Sequence, residues 1–318
     1  MTMAGEAELI VDRRRLRRRL VLWRVIGCLA IIVALLALAL GSTGFESLKK
    51  HQDHIARIRV SGMITGDQAT LDLLKEVRDS DSVKALIIRL NTPGGTTAGS
   101  EALYEAIRDI AKTRPVVAVM DTLAASGGYI TAIAADHIVA RGNTITGSIG
   151  VIFQWAEVSK LMDTLGVRMD EIKSGDLKAE PSPFKPITEK AREVSNAMVQ
   201  DSFRWFTGLV AERRNLPMDK VLLLSDGRVY TGRQALAEKL VDDIGGEEKA
   251  VDWLVKDKKI SADLEVVEWA VSDDNSSTGL GFSAVKLVLR ALGLGSLAGQ
   301  ASGVELDGLL ALWHPALQ

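Results

Sequence analysis

The chain contains one cysteine, Cys28, so an intramolecular disulfide is excluded. Cys28 stands inside an apolar run, where a thiol acts as a small hydrophobe. Histidine is scarce: His51, His54, His137 and His314 are the four, and no two have the i, i+4 spacing of a helical metal pair. Without a cysteine cluster to add ligands, no metal site is expected. Aromatic residues make up 5% of the chain and do not interleave with basic ones, which argues against a base-stacking nucleic-acid surface. The net charge is −2 over 318 residues, so no strong field of one sign exists to draw a polyanion. Neither phosphate-cradling pattern, Gly-x4-Gly-Lys-Ser/Thr or Gly-x-Gly-x-x-Gly, fits the glycine-rich loops, and no cofactor is expected. No segment repeats at a fixed period, which excludes a solenoid.

What the chain does have is a composition ordinary for a globular protein, 47% apolar and 25% charged. Its start is sharply partitioned. Arg13, Arg14, Arg15, Arg17, Arg18 and Arg19 precede Leu20 to Leu40, which is apolar except for Arg24. A helix of that length roughly spans a ~30 Å hydrocarbon core. Arg24 lies one turn inside and can snorkel to the headgroups. The arginine cluster places that end in the cytoplasm. A cleaved signal peptide needs a shorter apolar region with a small-x-small exit, whereas Ala37-Leu38-Ala39 lies within the run. The expectation is an uncleaved signal anchor at 20–41, behind a basic cytoplasmic tail at 1–19. The weakly apolar stretch from Gly279 to Leu312 is interrupted by Lys286, Arg290, Glu305, Asp307 and glycines, and reads as a surface or partner-facing tail.

After a linker, strand and helix patterns alternate. Strands are expected at Ile55–Ile64, Val83–Leu90, Pro115–Met120, His137–Ala140, Ser148–Phe153 and Leu264–Trp269. Helices are expected at Leu71–Arg78, Ser100–Lys112, Ser126–Ala135, Thr188–Arg214, Thr231–Leu240 and Glu247–Lys256. The continuous apolar runs imply an α/β fold with a mostly parallel, covered sheet.

Two glycine-rich loops follow buried strands: Asn91-Thr92-Pro93-Gly94-Gly95 and Ala124-Ala125-Ser126-Gly127-Gly128. Strand ends of open α/β sheets are where ligands bind. The pattern suits acyl transfer, with Ser126 attacking a carbonyl and backbone N–H groups near Gly95 and Gly127 holding the oxyanion. The plain alternative is a pair of βα turns with Ser126 as a helix cap. A nucleophilic serine needs a base. His137 follows Asp136, but neighbours along a strand face opposite ways. A lysine is the other option, provided burial without a carboxylate partner lowers its pKa from ~10.4 toward about 7–8. The segment Ile172-Lys173-Ser174-Gly175-Asp176-Leu177-Lys178-Ala179-Glu180-Pro181-Ser182-Pro183-Phe184 offers Lys173 and Lys178, with Lys185 next to it.

Four motifs occur in order: Asn91-Thr92-Pro93-Gly94-Gly95, Ala125-Ser126-Gly127-Gly128-Tyr129, Thr146-Gly147-Ser148-Ile149-Gly150-Val151, and Ser174-Gly175-Asp176-Leu177-Lys178 through Pro183-Phe184. Together, over roughly residues 55–249, the chain resembles the signal peptide peptidase A (protease IV) family in its short single-domain form. The resemblance implies a Clp protease/crotonase-like fold of repeated strand-helix units, preceded here by the transmembrane helix. It implies Ser126 as nucleophile, Lys178 as general base and Ser148 as the residue orienting Lys178. The oxyanion donors carry over to the Gly94–Gly95 loop and Gly127. Clp relatives place a histidine after the nucleophile helix, and none lies between Gly142 and Lys178. The family forms ring-like or dome-like homo-oligomers in which neighbouring subunits donate the serine and the lysine. Its substrates are signal peptides and other apolar, membrane-associated peptides. The expected division is a linker at 42–54, a Ser-Lys peptidase domain at 55–270 and a tail of open role at 271–318. The peptidase domain is expected on the extracytoplasmic (periplasmic) side of a bacterial inner membrane, with lipid contacted through 20–41. Two alternatives are a membrane scaffold that kept the fold without hydrolysis and a crotonase-like acyl-thioester enzyme.

Overall fold

A computed structural model of the chain describes residues 22–27, 29, 50–271 and 310–312. It divides into two units, residues 1–53 and 54–318. In the first, residues 22–27 are helical. The basic tail and most of the expected anchor lie outside the described residues. No helix among the described residues is long and apolar enough to cross a membrane.

The second unit is built on one sheet, which has nine strands among the described residues. In chain order they are β1 (His54–Ile64), β2 (Val83–Thr96), β3 (Val116–Ala125), β4 (His137–Ala140), β5 (Ile145–Gly147), β6 (Val229–Thr231), β7 (Asp243–Ile244), β8 (Val266–Trp269) and β9 (Leu310–Leu312). The lateral order is β6-β5-β3-β2-β1-β8, with β4 alongside β3 and β7. Pairing is parallel except for β5 with β6 and β2 with β9. The sheet is therefore mixed and mostly parallel.

The period-two alternation of strands explains why both faces are buried. Leu86, Ile88 and Leu90 of β2 join Val116, Ala118 and Met120 of β3 in the larger core. Their neighbours Ala85, Ile87, Val117 and Val119 point the other way, into a smaller core closed by Ala250 and Leu254. Those two residues belong to a helix, Glu247–Lys256, whose bounds match the sequence expectation. The larger core is covered by α1 (Gln68–Asp79), α2 (Thr97–Ala111), α3 (Gly127–Ile133) and, after the short α4 (Ser159–Leu165), by α5 (Glu189–Arg214). Asp67 caps α1 by accepting from the Thr70 amide at 2.8 Å. Thr188 caps α5 through the Ala191 amide at 3.2 Å, and Asn215 ends it in the left-handed conformation.

Four expectations need correction. Asn91–Gly95 is not a loop after β2 but its continuation, paired with β1 at Met63 and Ile64. The strand expected at Ser148–Phe153 lies earlier, at Ile145–Gly147, because Ser148 turns out of the sheet. His54 belongs to β1 and not to the linker. It is buried and accepts from Trp269 Nε1 at 2.9 Å, which ties the start of β1 to the end of β8. Leu310–Leu312, expected to form part of a surface tail, joins the central sheet.

Candidate active site

Two strand ends bring two serines together. β3 and β5 run parallel with Leu123, Ala124 and Ala125 opposite Ile145, Thr146 and Gly147. The next residue on each strand is a serine, so Ser126 and Ser148 leave the sheet side by side. Both turn left-handed, with φ of 54° and 49°. A non-glycine residue held there stores about 1–3 kcal/mol and persists only where its surroundings over-determine it. Here they do. The Ser126 amide donates to the Gly147 carbonyl at 2.8 Å, and the Ser126 carbonyl accepts from Tyr129 and Ile130 at 2.8 and 3.0 Å. The Ser148 amide donates to the Arg228 carbonyl at 2.8 Å. Gly147 itself sits at φ 80°, and a Cβ there would lie 2.5 Å from the Tyr230 ring.

Ser126 occupies the N-cap position of α3, but its side chain makes no capping hydrogen bond. The plain reading as a helix cap therefore fails. A sharp strand-to-helix turn presents a hydroxyl with no structural task, the arrangement a nucleophile needs.

The glycines are fixed by contact. Thr92 pairs with Ala124, and two residues further along their strands lie Gly94 and Ser126. The Gly94 amide donates to Thr92 Oγ1 at 3.1 Å, so it is taken. Gly95 lies opposite Ile64 of β1 and Ala311 of β9, and no other residue fits there: a Cβ would meet the Ile64 carbonyl oxygen at 1.9 Å. Gly127 holds the first position of α3, where an amide has no acceptor within its own helix. At Gly128 a Cβ would come 2.7 Å from Thr92 Cγ2, so small size seats α3 against β2.

The three lysines of the later loop separate by partner. Lys173 Nζ pairs with Glu171 and Glu180, both at 2.9 Å. Lys185 Nζ pairs with the same two carboxylates at 2.7 and 2.6 Å. Hydrogen bonds from Lys185 and Lys173 push the Glu180 carboxyl down to about 2. Those from Glu171 and Glu180 push the Lys185 ammonium up. Lys185, so held as a cation, is a poor base near neutral pH, and Lys173 is engaged by the same two carboxylates. Lys178 forms no ion pair among the described residues. It is exposed on a turn closed by its amide donating to the Gly175 carbonyl at 3.0 Å and by left-handed Ala179. Within the single chain, its amine makes no hydrogen bond to Ser126 or Ser148 among the described residues. The fold thus brings Ser126 and Ser148 to neighbouring strand ends with Gly127 next in the chain, keeps Gly95 on β2, and leaves Lys178 outside that group.

His137 is engaged elsewhere. Its Nε2 lies 3.1 Å from Asp243 Oδ2, and its ring stacks on Trp253. β4 meets β3 with His137 opposite Val117, eight residues before Ala125. At ~3.3 Å per residue that is roughly 26 Å from the serines. No group of three or more His, Cys, Asp or Glu among the described residues could hold a metal.

Sequence reading gave Thr92 no role of its own and missed Arg228 and Tyr230, which shape the turn at Ser148. Only the fold brings Arg228 and Tyr230 to Ser148, and no local signal marks them. It also missed the pairing of Glu171 and Glu180 with two of the three lysines, although the alternation of charge over 171–185 was visible. A groove of about 500 Å³ begins just past Ser148, between Val151–Trp155 and the first half of α5, with Ile152, Phe153 and Val199 in its wall.

The sequence model of peptidase family S49 matches residues 108–261. A Methanocaldococcus jannaschii chain, provisionally named a protease, is 36% identical over 66% of this chain and 67% of its own. An Enterococcus faecium chain, provisionally named signal peptide peptidase SppA, is 35% identical over 72% of this chain and 69% of its own. Protease 4 of Haemophilus influenzae is 32% identical over 70% of this chain but only 38% of its own, so that relative is much longer. Among solved structures, a mutant of ClpP1 from Listeria monocytogenes aligns with TM-score 0.43 and 16% identity over 63% of this chain and 95% of that one. The chain belongs to peptidase family S49, with signal peptide peptidase SppA and protease 4 among its relatives, and is a serine peptidase.

Proposed function

We propose that the chain is a membrane-anchored endopeptidase with a Clp/crotonase-like fold that cleaves residual signal peptides and other apolar peptides with a Ser126–Lys178 dyad. The observation that carries this reading is the partnering of the lysines: Lys173 and Lys185 are each paired with Glu171 and Glu180, and Lys178 has no ion-pair partner among the described residues. A neutral Lys178 amine takes the Ser126 proton as the hydroxyl attacks the scissile carbonyl. Ser148, beside Ser126, orients that amine. The amides of Gly95 and Gly127 receive the oxyanion, each worth ~2.7–4 kcal/mol of barrier. The substrate backbone lies along β2 at Gly94–Thr96, an edge that accepts an antiparallel strand, as its pairing with Leu310–Leu312 illustrates.

Lys178 reaches Ser126 from a neighbouring subunit in this reading. Support comes from the segment between β5 and α5. Helix α4 buries none of its residues, and Leu161, Leu165, Val167, Met169 and Ile172 are exposed. So long an apolar stretch without a core of its own fits a subunit interface. Docking there would also remove Lys178 from water. Residues 20–41 hold the assembly to the bilayer, and the basic residues before them keep the N-terminus cytoplasmic.

The test uses the full chain in bilayer vesicles with a signal-peptide substrate. Ser126→Ala and Lys178→Ala should each be inactive alone, and mixed assemblies of the two should recover activity. Wild-type rates in either variant would eliminate the dyad. Absence of recovery in mixed assemblies would eliminate donation between subunits. Acylation of Ser126 by a serine-directed reagent separates the peptidase from a scaffold with the same fold.

A further inference from the structure

The paired charges that flank Lys178 have a use beyond holding a loop. Glu171, Lys173, Glu180 and Lys185 form a closed set: each ammonium touches both carboxylates, at 2.6–2.9 Å. The Glu180 side chain is 3% exposed, and both lysines approach the same oxygen, Oε1. The other oxygen, Oε2, is buried and has no hydrogen-bond partner among the described residues. Glu180 is two residues from Lys178 and is held to the same turn by its amide donating to the Leu177 carbonyl at 3.3 Å. Glu180 is thus a carboxylate with a spare acceptor, two residues along the chain from the amine that the proposed mechanism needs uncharged.

We propose that Lys173 and Lys185 are positioning residues that engage Glu171 and Glu180 so that neither carboxylate pairs with Lys178. The proposal rests on Lys178 being the general base. The set sums to zero charge, so it exerts little net field on the turn. Losing either lysine leaves one unit of negative charge in excess beside Lys178, which favours the ammonium form and removes the base. Losing Glu180 leaves an excess of positive charge, which disfavours the ammonium. The two kinds of variant therefore move Lys178 in opposite directions. Two further charged groups beside the set are Asp176 on the turn itself and Lys190 in the first turn of α5. Both line the same cavity of about 320 Å³ and are unchanged in these variants.

The test is the pH profile of kcat/KM for the full chain in vesicles, with wild type, Lys185→Met, Lys173→Met, Lys185→Arg and Glu180→Gln. The rise of activity with pH should move up by about one pH unit in either lysine-to-methionine variant, and down in Glu180→Gln. Lys185→Arg keeps the cation and should restore the wild-type profile. A loop that merely lost stability would lower the rate without moving the limb. Reduced rates on an unshifted limb in the methionine variants, or shifts of the same sign for Lys185→Met and Glu180→Gln, would overturn the proposal. Should Lys185→Met fail to assemble, Lys173→Met and Glu180→Gln still give the two opposed arms. Lys178→Ala is the separate control: wild-type activity there would refute the base itself. An inactive Lys178→Ala with unshifted clamp variants would refute only the role of the clamp.

Discussion

The two halves of the proposed site are held by different physics. Ser126 and Ser148 sit at strand ends inside the main core, fixed by backbone hydrogen bonds and by glycines that tolerate no side chain. Lys178 sits on a surface turn whose frame is four charged side chains. The first half is set by sterics and main-chain bonding, which respond weakly to salt and pH. The second depends on protonation and ionic strength. Under the proposed dyad, the adjustable chemistry would sit where charge can be tuned and the rigid chemistry where it cannot.

That contrast can be broken in several ways. The largest effect should come from Ser126→Ala, with kcat down by on the order of 10³–10⁶ and a melting temperature near wild type, since its hydroxyl caps nothing. Next is Gly147→Ala. Its Cβ would lie 2.5 Å from the Tyr230 ring at a left-handed φ, and about 2–4 kcal/mol of stability should be lost in denaturant unfolding. The counterpart on the turn, Gly175→Ala, meets nothing within 4 Å and has an unstrained φ, so it should change stability by less than about 0.5 kcal/mol. Equal losses at Gly147 and Gly175 would erase the distinction.

A smaller effect concerns acid. The Glu180 carboxyl is held at about 2 in the folded chain, below its ordinary ~4.3. A depressed carboxylate stabilises fully above the unfolded value, and that stability is lost as pH falls through the folded one. The melting-temperature gap between wild type and Glu180→Gln should be full near pH 6 and close as pH drops toward 2. A gap that stayed constant would mean that the ion pairs contribute nothing. The least effect is expected from salt: 1 M sodium chloride should narrow the same gap at pH 6 while leaving the cost of Gly147→Ala unchanged.

Much of this was legible in the sequence because it is written in period and in glycine. Continuous apolar runs at 83–90 and 115–120 marked buried parallel strands, and Glu247–Lys256 showed a helix of the observed length. Ser126 and Gly127 stood out as a small-residue turn after a strand. What escaped was non-local. Glycines suggested a loop at 91–95, yet pairing with β1 keeps that stretch extended. Ser148 was expected inside a strand, but its left-handed turn depends on the Arg228 carbonyl eighty residues away. Which loop lysine stands without an ion pair also depends on where two carboxylates point, and no spacing rule encodes that.

The antiparallel contact of Leu310–Leu312 with Gly94–Thr96 puts a strand of the chain itself where the proposed substrate strand would pair. A competitor tethered to the same molecule does not weaken when the protein is diluted, unlike a rival in solution. Turnover would then depend on exchange between an internal strand and an external one. Apparent affinity for short peptides would track how well they imitate that segment's hold on three residues of β2.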